Sequence, residues 1–305
     1  MKVLVATEKP FAPAAIVGIK AEIEAGGHEF ALLEKYTEKS QLLNAVNNAD
    51  ALIIRSDKVD AEVLDAAKQL KIVVRAGAGY DNIDLAAATA HKVVAENTPG
   101  QNANAVAELV FGLLVFAVRQ FYNGKAGTEL KGKKLGILAF GNVGRNVARI
   151  AKGFGMEVSA YDAYCPANVI EAAGVKAVKS QEELFEQNDV VSLHIPATAE
   201  TKESINYALV NKLPKGGVLI NTARKEVINE HELIKLMEER KDLKFVTDIM
   251  PDAHAEFIKF EGRYFSTPKK MGAQTAEANI NAGIAAAKQI VAFFKEGCTK
   301  FQVNK

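Results

Sequence analysis

Residues 134–162 read KLGILAFGNVGRNVARIAKGFGMEVSAYD, and this stretch decides the fold of the chain. The apolar run 135–140 predicts a buried parallel strand, and residues 141–144 predict a tight turn. Apolar residues at helical spacing then predict a helix that ends at Gly155, and residues 156–161 predict a second strand. Strand, glycine turn, helix and strand in this order are typical of a unit that binds a dinucleotide.

The glycine turn and the acid after the second strand indicate the kind of ligand. Gly141 and Gly144 would let the backbone approach a pyrophosphate, which the helix N-terminus attracts with its N–H donors. The distance in sequence from the glycine turn to Asp162 is close to the ~20 residues expected for an acid that accepts hydrogen bonds from the ribose hydroxyls. A carboxylate there repels a 2′-phosphate, so NAD is favoured over NADP. Ala139 replaces the usual first glycine, which is acceptable if its φ is negative. The alternative is a βαβ unit without a ligand.

Composition narrows the class of protein. The chain has 305 residues, enough for about two domains, and 49% of them are apolar. With a net charge of +1 and no basic block, we predict neither a nucleic-acid partner nor a membrane partner. Cys165 and Cys298 lack metal-ligand spacing. We interpret them as free thiols of a cytoplasmic protein and predict no metal site.

Strands and helices alternate over most of the chain. Residues 2–96 contain five strand patterns separated by helix patterns, and the alternation resumes after Asp162. Residues 250–268 are non-repetitive, and residues 298–303 predict an edge strand after a long Ala-rich helix. We therefore predict an α/β protein with two Rossmann- or flavodoxin-like parallel-sheet domains and a cleft between them.

Polar residues stand at the carboxyl ends of the predicted strands, where ligands bind in parallel sheets. They are Arg55, Ser56, Arg75, Gly141, Asp162, His194, Arg224 and Asp248. Each alone reads as an ordinary loop residue, but the whole set predicts a functional site.

Seven motifs together resemble one family. They are DNID at 81–84, NTPGQN at 97–102, AEL at 107–109, the dinucleotide turn, HIP at 194–196, NTAR at 221–224 and GAQTAEA at 272–278. In this order they resemble the D-isomer-specific 2-hydroxyacid dehydrogenases over nearly the whole chain. The resemblance implies a discontinuous substrate domain, residues 1–98 plus 285–305, and an NAD-binding domain, residues 99–284. It also implies a homodimer or tetramer built through the NAD-binding domains. Because the chain stops at Lys305, we expect no separate regulatory domain and no serine feedback through one.

The resemblance also assigns residues. Its substrate-binding set is Arg55, Ser56, Lys58, Arg75, Gly77, Ala78, Gly79, Asn102 and Arg224. Its cofactor-binding set is Ala78, Gly141, Asn142, Val143, Gly144, Asp162, Ile195, Pro196, Thr201, Thr222, Ala223, Asp248, Gly272 and Ala273. Arg224 matches the catalytic arginine that holds the substrate carboxylate, and Asp248 matches the acid near the nicotinamide amide.

Two positions depart from the family pattern. The catalytic histidine is replaced by a lysine, which is Lys270 when counted back from Gly272 and Lys269 when counted forward from Pro268. We favour Lys270. The glutamate that orients the histidine is Ala253, with Asp252 and Glu256 as nearby substitutes. His194 is an alternative base, and a further alternative is that both lysines are surface charges.

The implied reaction is the NAD-dependent oxidation of a D-2-hydroxy acid. Arg55, Ser56 and Lys58 match the family segment that binds D-3-phosphoglycerate, and these residue types suit a phosphate. Two alternatives stay open. One is a hydroxypyruvate or glyoxylate reductase, and the other is an NAD-sensing binding protein without catalysis.

Overall fold

The computed structural model describes the whole chain, Met1–Lys305, which folds into two compact units. The first unit comprises Met1–Asn102 and Gln274–Lys305, and the second comprises Ala103–Ala273. Each contains one fully parallel sheet with helices packed on it. The predicted α/β fold with two parallel-sheet domains is confirmed.

The elements follow one another in regular alternation. The strands are β1 (Lys2–Thr7), β2 (Glu29–Glu34), β3 (Ala51–Ile54), β4 (Ile72–Arg75), β5 (Val94–Asn97), β6 (Lys134–Leu138), β7 (Glu157–Tyr161), β8 (Lys176–Ala177), β9 (Val190–Leu193), β10 (Val218–Asn221), β11 (Lys244–Thr247) and β12 (Tyr264–Ser266). The α-helices are α1 (Pro13–Ala25), α2 (Lys39–Val46), α3 (Ala61–Ala66), α4 (Leu85–Ala90), α5 (Ala103–Val118), α6 (Asn142–Gly153), α7 (Ala167–Ala172), α8 (Gln181–Gln187), α9 (Tyr207–Val210), α10 (Glu230–Glu239), α11 (His254–Phe257) and α12 (Ala276–Glu296). None of these helices has both the length and the apolar character of a membrane span.

The sheet of the first unit has the order β2-β1-β3-β4-β5. Successive side chains of a strand point to opposite faces. Val3 and Val5 of β1 accordingly belong to the apolar cluster that includes α1 and α12 residues. Leu4 and Ala6 belong to a second cluster with α2 and α3 residues. Both faces of the sheet are therefore buried, which explains why its strands are continuous apolar runs.

Helix α12 belongs entirely to the first unit. It packs against α1 at two glycines. A Cβ on Gly18 would lie 2.7 Å from Cδ1 of Ile284, and a Cβ on Gly283 would lie 2.7 Å from Cδ1 of Ile19. The second boundary lies at Gln274 rather than near 285, because α12 is one continuous helix and packs as a whole.

The sheet of the second unit has the order β12-β11-β10-β9-β6-β7-β8. Strand β6 lies between β9 and β7, so the chain changes direction across the sheet at this strand. In open parallel sheets, ligands bind beyond the carboxyl ends of the strands at such a switch point. The motif at residues 134–162 therefore lies where its proposed ligand should bind.

Two predicted elements differ from the structure. Residues 298–303 do not form an edge strand, because the chain turns at Thr299, and only one isolated bridge joins Glu96 to Gln302. Conversely, the region expected to be non-repetitive contains the short strand β12, which pairs with β11.

Candidate active site

The turn between β6 and α6 has the backbone of an anion-binding loop. Gly141 caps α6 in an extended conformation, and a Cβ there would meet no atom within 4 Å, so the approach is open. A Cβ on Gly144 would lie 2.3 Å from the carbonyl oxygen of Ala139, so no larger residue fits there. Asn142 and Val143 begin α6, whose N-terminal N–H groups suit a pyrophosphate.

Ala139 adopts φ +79°, a left-handed conformation that favours glycine. The condition under which alanine would be acceptable there, a negative φ, is therefore not met. Its N–H donates to the carbonyl of Tyr161 at 2.9 Å, which ties the turn to the end of β7. The turn thus keeps the geometry of the glycine motif although the glycine itself is absent.

Backbone donors orient the carboxylate of Asp162 at the end of β7. Its Oδ2 accepts from the N–H of Phe140 at 2.7 Å. Its Oδ1 accepts from the N–H groups of Tyr164 and Cys165 at 2.8 and 2.9 Å. A carboxylate offers about four acceptor positions, so one remains for a ribose hydroxyl.

The loop after β9 carries three further residues of the predicted cofactor set. Ile195 is buried, and Pro196 follows it. The carbonyl of Pro196 accepts from Oγ1 of Thr201 at 2.6 Å, which closes the loop on itself.

Two buried acceptors lack partners at the carboxyl ends of β10 and β11. They are Oδ1 of Asp248 and Oγ1 of Thr222. The other carboxylate oxygen of Asp248, Oδ2, accepts from the N–H of Gly272 at 2.7 Å. Burial raises the pKa of Asp248 above its usual value, while the Gly272 N–H and Lys270 oppose that effect. Buried polar atoms rarely stay unpaired, so this pair fits a ligand such as the nicotinamide carboxamide, which offers N–H donors.

Two cations meet at one carbonyl oxygen after β10. Nη1 of Arg224 and Nζ of Lys270 both donate to the carbonyl of Ala223, each at 2.9 Å. The buried amide of Asn221 holds this loop by donating to the Arg224 carbonyl and accepting from the Ala223 N–H, both at 2.9 Å. The arrangement can bind a carboxylate and place an amine beside it.

The other two candidate bases are placed differently. Lys269 is exposed, and its carbonyl accepts from Oγ1 of Thr267 at 2.7 Å. Desolvation lowers the pKa of His194 to about 3, and its Nε2 lies 2.9 Å from Oγ of Ser192. The imidazole of His194 is therefore neutral at pH 7. Of these residues, Lys270 is the one whose amine shares the Ala223 carbonyl with Arg224.

The acidic residues near Ala253 are engaged elsewhere or exposed. Asp252 forms an ion pair with Lys225. Glu230 accepts from the N–H of Ala253 at 2.7 Å. Glu256 lies on the one-turn helix α11, where it is exposed and forms no ion pair.

In the first unit, Arg55 follows β3 and is surrounded by neutral acceptors. Its Nη1 donates to the carbonyls of Lys9 and Pro10 at 3.1 and 2.8 Å, and its Nη2 donates to Oδ1 of Asn279 at 2.8 Å. The guanidinium lies 5.0 Å from the centre of the Phe11 ring. The charge of Arg55 therefore remains available to an anion.

The Asp57 carboxylate of the same segment is structural. It is 3% exposed and accepts from the hydroxyl of Tyr36 and the N–H of Glu8, both at 2.7 Å. Ser56 and Lys58 on either side are exposed.

The loop after β4 folds around Arg75. Its Nε donates to the carbonyl of Arg55 at 2.9 Å, and a Cβ on Gly77 would lie 1.6 Å from Nη1 of Arg75. The carbonyl of Ala78 accepts from the amide of Asn97 at 2.6 Å, and Gly79 follows. The first unit thus brings Arg55, Arg75 and the 77–79 loop to the carboxyl edge of its sheet, and its first segment ends at Asn102.

Comparison with known proteins identifies the family. The model of the D-isomer specific 2-hydroxyacid dehydrogenase NAD-binding domain matches residues 116–262. The hydroxypyruvate reductase of Thermotoga maritima is 34% identical over 88% of this chain and 91% of its own length. This chain belongs to the D-2-hydroxyacid dehydrogenase family.

Two phosphoglycerate dehydrogenases are also similar to this D-2-hydroxyacid dehydrogenase. The enzyme of Methanocaldococcus jannaschii is 34% identical over 83% of this chain, but only 51% of its own length is matched. The chain therefore spans about half the length of that relative. The NAD⁺-bound 3-phosphoglycerate dehydrogenase of Entamoeba histolytica has 50% sequence identity and a TM-score of 0.88, with 100% of this chain and 99% of the other covered. NAD is the cofactor of this family domain, and the buried acceptors and the turn described above fit it.

Sequence reasoning missed two features of this dehydrogenase. Asn279 contacts Arg55 from α12, and no local pattern links positions so distant in sequence. The carbonyl of Ala223 joins Arg224 to Lys270, and a backbone oxygen leaves no signal in the residue type.

Proposed function

We propose that the protein oxidises D-3-phosphoglycerate to 3-phosphohydroxypyruvate with NAD, the first committed step towards serine. The observation that carries this proposal is the junction of Arg224 and Lys270 at the Ala223 carbonyl, beside the unpaired acceptors of Asp248 and Thr222. The 50% identity to a phosphoglycerate dehydrogenase over the whole chain supports the substrate.

In this proposal the second unit holds the cofactor through groups that are already oriented. The 141–144 turn and the N-terminus of α6 would bind the pyrophosphate. Asp162 would accept from the ribose, and Asp248 and Thr222 would accept from the carboxamide. NAD, when bound, supplies the acceptor for the hydride that leaves the hydroxyl-bearing carbon.

Lys270 is the proposed base. It must be neutral to accept the hydroxyl proton, and it gives the proton back in the reverse reaction as an ammonium. A lysine in water titrates near ~10.4, and a neighbouring cation such as Arg224 disfavours the ammonium. We therefore expect oxidation to accelerate as the pH rises above neutrality. Arg224 would hold the substrate carboxylate and polarise the carbonyl as it forms.

The proposed substrate carries a phosphate, which we assign to Arg55, Ser56 and Lys58. Arg55 suits this role because its guanidinium bonds only neutral acceptors and so keeps its full charge for an anion. Charge-assisted bonds to phosphate oxygens are among the strongest hydrogen bonds in proteins.

The test is the rate of NADH formation with a panel of D-2-hydroxy acids across pH 7–10. We expect D-3-phosphoglycerate to be oxidised at pH 8–9. No NADH from phosphoglycerate, together with rapid NADH consumption by hydroxypyruvate or glyoxylate, would contradict the proposal. That result would favour the reductase alternative, which the similarity to the Thermotoga maritima hydroxypyruvate reductase supports.

The third candidate is an NAD-sensing binding protein. Loss of the family's histidine and glutamate, at Lys270 and Ala253, is the observation that favours it. It predicts tight NAD binding without turnover of any 2-hydroxy acid in the same panel.

We also propose self-association as a homodimer or tetramer through the second unit, a proposal that rests on the family. Light scattering should give two or four times the chain mass of 32.9 kDa. A single-chain mass at micromolar concentration would contradict it. A cytoplasmic location stays a prediction from the two free cysteines.

A further inference from the structure

Lys270 stands where the family has its catalytic histidine, which a glutamate orients. The carboxylate that would orient the lysine base in this chain has not yet been identified. The position expected to supply it is Ala253, which has no acidic group. Asp252 is paired with Lys225, and Glu256 is exposed without an ion pair. The two nearby substitutes are therefore not placed for this role, and the carboxylate has to come from another element.

Asp248 is anchored to the segment that carries Lys270. Its Oδ2 accepts from the N–H of Gly272, two residues after Lys270, at 2.7 Å. A Cβ on Gly272 would lie 2.8 Å from Oδ2, so glycine is the residue that permits this approach. The backbone that follows Lys270 is thus hydrogen-bonded to the Asp248 carboxylate, which lies just after β11.

The charges around Asp248 agree with this geometry. Asp248 is 0% exposed, and its Oδ1 has no hydrogen-bond partner. The charged groups of the second unit that act on it are Lys270 and Arg224, and both favour its ionised form. Attraction is mutual, so an ionised Asp248 favours the ammonium form of Lys270.

We propose that Asp248 is the carboxylate partner of Lys270: it fixes the lysine segment and stabilises the ammonium that forms when Lys270 accepts a proton. Asp248 is then a positioning residue for the base as well as a contact for the cofactor. Its catalytic meaning rests on the proposed function, but its effect on Lys270 does not.

The consequence concerns the proton that leaves the substrate hydroxyl. As the substrate O–H bond breaks, a new N–H bond forms at Nζ of Lys270, and the positive charge appears on the residue whose backbone segment Asp248 holds. The carboxylate makes the amine a stronger base. It also raises the pH at which Lys270 loses its own proton, so Asp248 helps to set the alkaline range of the oxidation.

The test measures the titration of Lys270 directly, in the full chain without substrate. Acetic anhydride labels neutral amines, so the labelling of Lys270 is followed by mass spectrometry from pH 6 to 11. In Asp248→Asn, which keeps an acceptor for the Gly272 N–H, we expect the midpoint to fall by about one pH unit or more. Asp248→Ser is the second variant and should shift the midpoint in the same direction. The acid limb of the pH–rate profile for phosphoglycerate oxidation should shift to lower pH in parallel.

Asp252→Asn and Glu256→Gln are the matched controls, because each removes one exposed acid of the same unit. Both should leave the Lys270 midpoint unchanged. An unchanged midpoint in the Asp248 variants, or an equal shift in either control, would overturn the inference. A shifted midpoint in a protein that turns over no 2-hydroxy acid would instead refute the proposed function alone.

Discussion

At the scale of single residues, Ala139 carries local strain. An alanine at φ +79° destabilises the folded state by about 1 kcal/mol or more relative to glycine. Glycine also has the larger conformational entropy in the unfolded state, and this offsets part of the stability gained by the substitution. We therefore predict that Ala139→Gly raises the free energy of unfolding by about 0.5 kcal/mol. Urea unfolding checks this, and a clear loss of stability would show that the left-handed conformation is not adopted.

Lys269 and Lys270 are neighbours in sequence, but only Lys270 is the proposed base. Lys270→Ala should reduce the turnover number by about 10²–10⁴-fold, the usual contribution of a general base, while NAD affinity is retained. Lys269→Ala should do much less, because its amine does not share the Ala223 carbonyl with Arg224. Steady-state kinetics and an NAD titration measure both effects. The reverse order would move the role to Lys269, and full activity of both variants would exclude a lysine base.

At the scale of elements, Glu96 links β5 to the C-terminal segment. It is 1% exposed, its Oε1 accepts from the N–H of Phe301 at 3.3 Å, and burial raises its pKa to about 7. The folded protein therefore holds this proton more tightly than the unfolded chain does. The associated stability is complete below about pH 4.5 and is lost as the pH rises to about 7.

Glu96→Gln removes this titration and keeps the acceptor for Phe301. We predict that at pH 8 the variant is more stable than the wild type by roughly 2 kcal/mol, and that its stability no longer falls between pH 5 and 7. Unfolding by urea at several pH values measures this. The control is Glu157→Gln, which changes an exposed glutamate. A wild type whose stability is flat over this range would contradict the prediction.

The elements also show what local sequence can predict. The β6–α6–β7 unit follows from its own residues, because apolar runs, glycines and the acid at Asp162 are local signals. The strand β12 and the chain after Gly297 do not, because their pairing depends on β11 and β5, which are distant in sequence. The conformation of Ala139 is likewise set by its contacts, the bond to Tyr161 and the close approach of Gly144.

The same limit applies to the candidate site. Residue types and family motifs predict Arg224, Lys270 and Asp248 as candidates. They do not indicate that Asp252 forms an ion pair with Lys225, or that Asp248 accepts a hydrogen bond from the backbone after Lys270. Both contacts depend on how the side chains pack in the folded protein.

At the scale of the whole molecule, the proposed function requires that the substrate be recognised at both ends. We assign Arg55 to the phosphate and Arg224 to the carboxylate, and the guanidinium group of each donates hydrogen bonds to neutral acceptors. A hydrogen bond to a charged group contributes about 1.5–3 kcal/mol. The phosphate should therefore be decisive for specificity, whereas a general 2-hydroxyacid reductase would gain nothing from it.

The most direct test of the central claim compares kcat/KM for NAD-dependent oxidation of D-3-phosphoglycerate and D-glycerate, which differ only in the phosphate. We predict a preference for phosphoglycerate of about 100-fold or more, the value expected when two charge-assisted bonds to phosphate are lost. Equal values, within about threefold, would contradict the assignment of this protein to phosphoglycerate oxidation.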